Sequence, residues 1–204
     1  VLVLDANPSI TAEAKTFTQA FNVTYKGIVT YLPNAAVTSV DVATRNVYTT
    51  FGAAPFHGDV LNVIPPHRAG RIVVDAGLAN DAGRFAFVDV LSYESTAIPG
   101  IHVIGDAAST TQPKAGHIAN QEAKVCADAM VRLMAGLTPD PSPVTNSACY
   151  SPITAVSASF LTAVFKFDPA SRTMVAVPAS SGEATAPSGD HYEDMFVWFD
   201  TLMK

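Results

Sequence analysis

Residues 99–130 read PGIHVIGDAASTTQPKAGHIANQEAKVCADAM. An apolar run at residues 101–104 meets Gly105 and Asp106, passes through a loop of small residues, and enters a helical pattern whose first turn carries Lys114, Gly116 and His117. The run predicts a strand. Gly105 lets the backbone approach a ligand closely, and Asp106 falls just past the strand end, where ligands dock in open α/β sheets. Ala119, Ala123, Cys126, Met130 and Leu133 recur at spacings of three and four, with Gln121, Lys124, Asp128 and Arg132 opposite, which predicts an amphipathic helix stopped at Gly136. Its start, near residues 116–118, offers unpaired N–H groups and the positive end of the helix dipole. A carboxylate beside an electropositive helix start suits a ligand with hydroxyls and an electron-rich carbonyl.

Composition narrows the classes around that feature. With 49% hydrophobic and 15% charged residues among 204, the chain has enough apolar material for one large core or two modest ones. No apolar run approaches the roughly 18 uncharged residues of a membrane-spanning helix. A formal net charge of -6, without a cluster of Lys or Arg, lacks the electrostatic footprint of nucleic-acid binding. The two cysteines and the scattered His57, His67, His102, His117 and His191 fall in no metal-ligand spacing. No metal site is expected.

Outward from the central stretch, the pattern is α/β. VLVLDANP at residues 1–8 predicts a buried strand that ends at Asp5. A central-type strand at the first residue suggests a piece of a longer protein, with signal-peptide removal as the alternative. Ile10, Ala14, Phe17 and Phe21 then predict a helix capped by Ser9 or Thr11, followed by a strand near residues 28–32. In such a domain Asp5 is a candidate ribose ligand, but without a Gly-rich loop a structural role is favoured. VTSVDVATRNVYTTF predicts a hairpin that turns at residues 43–46, with Val40 and Val42 facing Val47. DVLNVIPPHRAG predicts a second buried strand at residues 60–64, expelled from its sheet by Pro65 and Pro66. A turn at residues 81–83 and a strand toward Asp89 lead into the central stretch. Beyond the Pro- and Ser-rich residues 136–148, a hairpin turning at residues 168–171 and an irregular loop precede a last helix. That helix is predicted to start in a capping box of Asp190 and Glu193, with Tyr192, Met195, Phe196, Phe199 and Leu202 inward.

IHVIGDA, PKAGHIANQEAKVCADAM and NSACYS, together with VLVLDANP and VLNVIPP, resemble the flavoprotein subunit of flavocytochrome c sulfide dehydrogenase, a relative of sulfide:quinone reductases and FAD-dependent disulfide oxidoreductases. The resemblance implies an α/β fold, α+β overall: a partial two-dinucleotide-binding-domain FAD reductase plus a small C-terminal α+β domain. Residues 1–58 would be the remaining part of the second Rossmann-type domain, 59–137 the C-terminal part of the FAD-binding domain, and 138–204 the family's C-terminal domain. The diphosphate loop of such a fold would precede Val1, so the chain alone is expected to bind FAD weakly or not at all.

Residue by residue, the resemblance implies that Asp106, after Gly105, accepts a hydrogen bond from the ribityl chain of FAD. Lys114, Gly116 and His117 match the loop and helix start that face the flavin ring; Lys114 is equally readable as a solvated loop lysine. Ala115-Gly116-His117 stands where the family usually has Ser-Gly-Tyr. Trp198, in the last helix, matches a family position near the flavin and equally suits core packing, while Pro65 is a cofactor-site candidate because it stands at the carboxyl end of a predicted strand, where ligands dock. Cys149 matches the second cysteine of a redox-active disulfide through which sulfide passes electrons to the flavin. Cys126 lies on the helix stripe and reads as a packed thiol, with a Cys126 to Cys149 bridge left open. The implied electron acceptor is a separate c-type cytochrome subunit carrying the haem, since no Cys-x-x-Cys-His occurs here. The implied compartment is the periplasm. A sulfide:quinone reductase type and a non-catalytic docking fragment are the alternatives.

Overall fold

Parallel strands need a crossover, and the chain supplies one at once. In the computed structural model, which describes residues 1–204, β1 (Leu2–Leu4) runs parallel to β2 (Thr30–Leu32), with Leu2 opposite Thr30 and Leu4 opposite Leu32. Between them lie α1 (Ala14–Gln19) and a π-helical turn, Ala20–Thr24. β1 is not the buried central strand expected: it has one partner strand, Val1 is 82% exposed and Leu2 is half-exposed. The helix also begins later than the sequence predicts, and neither Ser9 nor Thr11 caps it. Its N-cap is Glu13, held at φ +48 with no side-chain capping bond. A tertiary contact explains this: Glu13 is buried, and its Oε2 accepts the hydroxyl of Ser151, 138 residues away.

Asp5 closes the turn after β1. Its carboxylate accepts the Asn7 backbone and side-chain N–H groups, both at 2.9 Å, and the Tyr31 hydroxyl at 2.7 Å. The Asn7 backbone bond first, and the Tyr31 bond next, hold its pKa below the usual carboxylate range. The structural reading of Asp5 fits these contacts.

The predicted hairpin is present and longer than predicted. β3 (Val37–Asp41), β4 (Asn46–Thr49) and β5 (Gly52–His57) form an antiparallel meander in which Val40 faces Val47 and Val47 faces Phe56. Asp41 Oδ1 accepts the Ala43 and Thr44 N–H groups and so fixes the first turn. Val42 sits in that turn, 81% exposed, rather than opposite Val47.

Residues 60–64 form no strand. Val60 is 89% and Ile64 74% exposed. The segment is apolar but finds no ladder, and the two prolines that follow cannot donate to one. Its alternate residues Leu61 and Val63 instead line a shallow hollow of about 340 Å³ with Val40 and Val42.

The chain gathers into two units. The first joins Val1–Pro65, Ser151–Ser159 and Glu183–Glu193. Thr16 and Ser159 share a buried hydroxyl pair at 3.0 Å, the Lys15 N–H donates to Glu183, and the Tyr25 hydroxyl donates to the Ile153 carbonyl. The second joins Pro66–Tyr150, Phe160–Gly182 and Asp194–Lys204.

In the second unit, α2 (Arg71–Asp75) precedes β6 (Ala86–Asp89), which pairs antiparallel with β7 (Glu94–Ser95) and parallel with β8 (Ala108–Ser109). Ala69, Val73, Leu78, Ala86, Val103 and Ala108 form its first core cluster. Residues 101–104 are extended but are not the predicted strand. They contact residues 93–95 through a single bridge, His102 to Glu94, and the bonds Ser95 N–H to Ile101 O and Val103 N–H to Tyr93 O. The strand of the Gly-Asp region lies after the aspartate, in β8.

α3 (Gly116–Met134) ends where predicted, with Gly136 at φ +72 and the Leu137 N–H reaching back to the Arg132 carbonyl. Its buried face is Ile118, Glu122, Cys126 and Ala129, so the expected stripe is rotated: Met130 and Leu133 are exposed. β9 (Val144–Thr154), β10 (Ser157–Asp168), β11 (Thr173–Ala176) and the two-residue β12 (Gly182–Glu183) make a sheet in which β10 pairs with the other three. The predicted turn at 168–171 is closed by Asp168 Oδ2, which accepts the Ser171 N–H and hydroxyl. Ile118, Val90, Phe165 and Met174 form the second core cluster.

α4 (Gly189–Leu202) is capped by Ser188, whose Oγ accepts the His191 N–H at 3.1 Å, rather than by an Asp190–Glu193 box. Trp198, Met195 and Leu202 are half-buried, whereas Phe196 and Phe199, expected inward, are each 52% exposed. Helix takes 27% of the chain and strand 31%, spread over several sheets, an α+β fold. No helix is long and apolar enough to cross a membrane.

Candidate functional site

Six of the eight candidate residues named from the sequence fall around α3 in the second unit, within its helix start, the loop just before it, the turn Gly105–Ala107 and β9. Gly105 begins that 3-10 turn at φ +69, a conformation that disfavours any side chain. A Cβ there would stand 3.3 Å from the Cβ of Ala119, so the close backbone approach is to α3. Its N–H donates to Glu122 Oε2 at 2.5 Å. Asp106 follows, with its side chain at the surface.

Lys114 is neither free nor simply solvated. Its ammonium donates to the carbonyls of Asp106 (2.9 Å) and Ala108 (2.7 Å) and lies 4.0 Å from the centre of the Phe85 ring. Burial lowers its pKa, and the carboxylates of Asp106, Glu122 and Asp81 oppose that shift. The loop is anchored from below as well. The Tyr93 hydroxyl donates to Gln112 Oε1, and Gln112 Nε2 donates to the Thr145 hydroxyl of β9 at 2.6 Å, with all three side chains buried.

α3 starts without a side-chain cap: Ala115 is extended, and Gly116 leads the helix into open space. The first N–H groups of a helix are orphan donors, and the dipole makes this end attractive to electron-rich atoms.

Cys149 lies half-buried on β9, and the residues on either side of it are both fastened. The Ala148 N–H donates to His117 Nδ1 at 3.0 Å. Tyr150 packs against Trp198 (centroids 5.6 Å apart) and Phe160 (6.2 Å), and Trp198 meets the His117 ring edge-on at 6.1 Å. A ring nitrogen that accepts a backbone N–H carries no proton, so Nδ1 of His117 is the bare one, and the Gln121 amide group lies 3.4 Å from its Nε2. The Ser147 hydroxyl is 3.8 Å from Cys149 Sγ. Both cysteines are free thiols, and Cys126 is buried, its pKa raised by that burial. A cleft of about 480 Å³ opens between His117, Asn120 and Lys124 of α3 and Trp198, Thr201 and Leu202 of α4. The indole N–H of Trp198 is buried without an acceptor.

Pro65 stands apart from this group. It is exposed, ends the first segment of the first unit, and follows an irregular segment rather than a strand.

Sequence reasoning missed Glu122. It is 1% exposed in the middle of α3, and burial pushes its pKa up to about 7, opposed by the Gly105 N–H and the Lys114 charge. Burial above all, and Glu122 next, raises the pKa of Tyr93 as well. The signal available was Gly105 itself: a left-handed turn against a helix leaves a backbone N–H in need of an acceptor.

Residues 1–65 match the family model described as sulfide dehydrogenase (flavocytochrome c) flavoprotein chain, central. The matched stretch ends at the residue that closes the first segment of the first unit. It supports that stretch as a region of such a flavoprotein chain and points to an oxidoreductase subunit. Pro65 lies at its edge; the other candidate residues lie beyond it.

Proposed function

We propose that the chain is part of the flavoprotein subunit of a flavocytochrome c sulfide dehydrogenase, and that its second unit contributes one wall of an FAD site together with one sulfur of a redox-active disulfide. The observation that carries the reading is the match of residues 1–65 to the flavoprotein family model. The residues of the second unit fit the group. Asp106 offers an exposed carboxylate to the ribityl hydroxyls, and the uncapped start of α3 at Gly116 and His117 offers N–H donors to an electron-rich ring edge. When bound, FAD supplies the two-electron acceptor for sulfide oxidation.

The chain's own residues then have separate tasks. Asp106 orients the cofactor by accepting a hydrogen bond. Lys114, bonded to two carbonyls, holds the loop that carries Asp106 and shapes the wall without needing to touch the ring. Cys149 offers a half-buried sulfur suited to thiol–disulfide exchange, while buried Cys126 does not, so the partner sulfur comes from outside the residues of this chain. Trp198 and His117 bracket the strand that bears Cys149. A separate periplasmic c-type cytochrome subunit takes the electrons onward, as the name of the matched family suggests.

The test is a visible spectrum of the protein isolated from its source, followed by anaerobic sulfide. The expected result is the oxidised-flavin spectrum, bleached by sulfide in the wild type and unbleached in Cys149→Ser. A colourless folded protein, or sulfide bleaching that persists in Cys149→Ser, overturns the reading.

A further inference from the structure

Glu122 is a carboxylate where a helix face is otherwise apolar: Ile118, Cys126 and Ala129 share its buried side. Burying a carboxylate is costly unless a specific partner holds it. The partner is the N–H of Gly105, at 2.5 Å. One turn earlier on the same helix, Ala119 stands so close to Gly105 that an added methyl group would meet it at 3.3 Å. The two contacts, three residues apart on α3, therefore pin one peptide unit from two points. The next residue is Asp106.

We propose that Glu122 is the positioning residue of Asp106: by holding the Gly105 N–H against α3, it fixes where the 3-10 turn presents the Asp106 carboxylate. The functional meaning of that placement rests on the flavin reading above; the placement itself does not. The groups that face Glu122 are the Asp106 carboxylate on the turn, the Thr110 hydroxyl and Lys114 ammonium on the loop, Tyr93 from the segment before β7, and the Cys126 thiol on its own helix. Lys114 favours the charged carboxylate, while burial and Asp106 oppose it. The anchor thus gains or loses charge near neutral pH while its acceptor oxygen stays in place.

The experiment follows the Gly105 amide by NMR in the wild type, Glu122→Leu and Glu122→Gln. Removing the acceptor in Glu122→Leu should speed hydrogen exchange at Gly105 by about 5- to 30-fold. Glu122→Gln keeps a carbonyl acceptor and should restore the protection. The Gly105 amide shift should titrate near neutral pH in the wild type and stay flat in Glu122→Gln. Unchanged Gly105 exchange in Glu122→Leu, or a Gly105 shift that titrates as before in Glu122→Gln, overturns the proposal; the second readout decides even if Leu prevents folding. Asp106→Ala separates the two ideas. Flavin retained as tightly as in the wild type defeats the flavin reading, whereas Gly105 exchange still decides the role of Glu122.

Discussion

Removing the His117 ring should release the strand that carries Cys149. His117→Ala takes away the acceptor of the Ala148 N–H, a 3.0 Å bond beside a half-buried residue, worth about 1 kcal/mol. It also removes the edge-on contact with Trp198 at 6.1 Å, worth about 0.5 to 1 kcal/mol. Together, about 1.5 to 2 kcal/mol of local clamping is lost, which by the usual conversion is about a 10- to 30-fold rise in the open fraction around Cys149. The assay is the rate of N-ethylmaleimide addition to Cys149, read by mass spectrometry of its peptide, with buried Cys126 as the internal reference for global unfolding. His117→Asn restores an acceptor oxygen without the ring and should fall between the two. A Cys149 rate within about twofold of the wild type, or a rise shared equally by Cys126, would refute the clamp.

In the wild type, Cys126 should resist alkylation until the chain unfolds, because burial both hides the thiol and disfavours its thiolate, whereas Cys149 should react in the native state. Glu122 should make stability pH-dependent. Its pKa is raised from 4.5 to about 7 on folding, so its favourable contribution is full below about 4.5 and is lost as pH rises toward 7; urea midpoints of Glu122→Gln should lose that decline. Ile118→Ala should destabilise the second unit by about 3 kcal/mol in urea denaturation, since it empties a 2%-exposed position among Val90, Phe165 and Met174. Tyr31→Phe should raise the Asp5 pKa, measured by NMR titration of the carboxyl carbon, because one of the hydrogen bonds that hold it down is gone.

What was legible in the sequence was what short-range chemistry determines. The end of the first strand at Asp5, the hairpin turns closed by Asp41 and Asp168, and the stop of α3 at Gly136 each rest on a side chain or a φ within a few residues. Strands at 60–64 and 101–104 failed because apolar character predicts burial but not a partner, and pairing is decided far away in sequence. The α3 stripe came out rotated because Glu122 is buried and the exposed end of the helix carries Met130 and Leu133, which inverts the polarity rule at both places. The start of α1 was misplaced for the same kind of reason, since Glu13 answers to Ser151. Around the candidate site, sequence named His117, Cys149 and Trp198 one by one. Their contact through Ala148 and Tyr150 is tertiary and could not be read from any of them.

The composition of the first unit carries a consequence for how the chain is made. Its bonds from Glu13 to Ser151, Thr16 to Ser159 and Lys15 to Glu183 close loops of 138, 143 and 168 residues. Most of this unit, residues 1–65, is synthesised before its other two segments, and the unit lacks its last piece until Glu193 has been added. Contacts of such long sequence separation form slowly, and the buried Glu13 carboxylate has no native partner in the interval. Residues 1–65 therefore wait for Ser151–Ser159 and Glu183–Glu193 before their unit is complete, and a nascent chain halted before residue 151 would expose the Glu13 side chain and the α1 face that the completed fold covers.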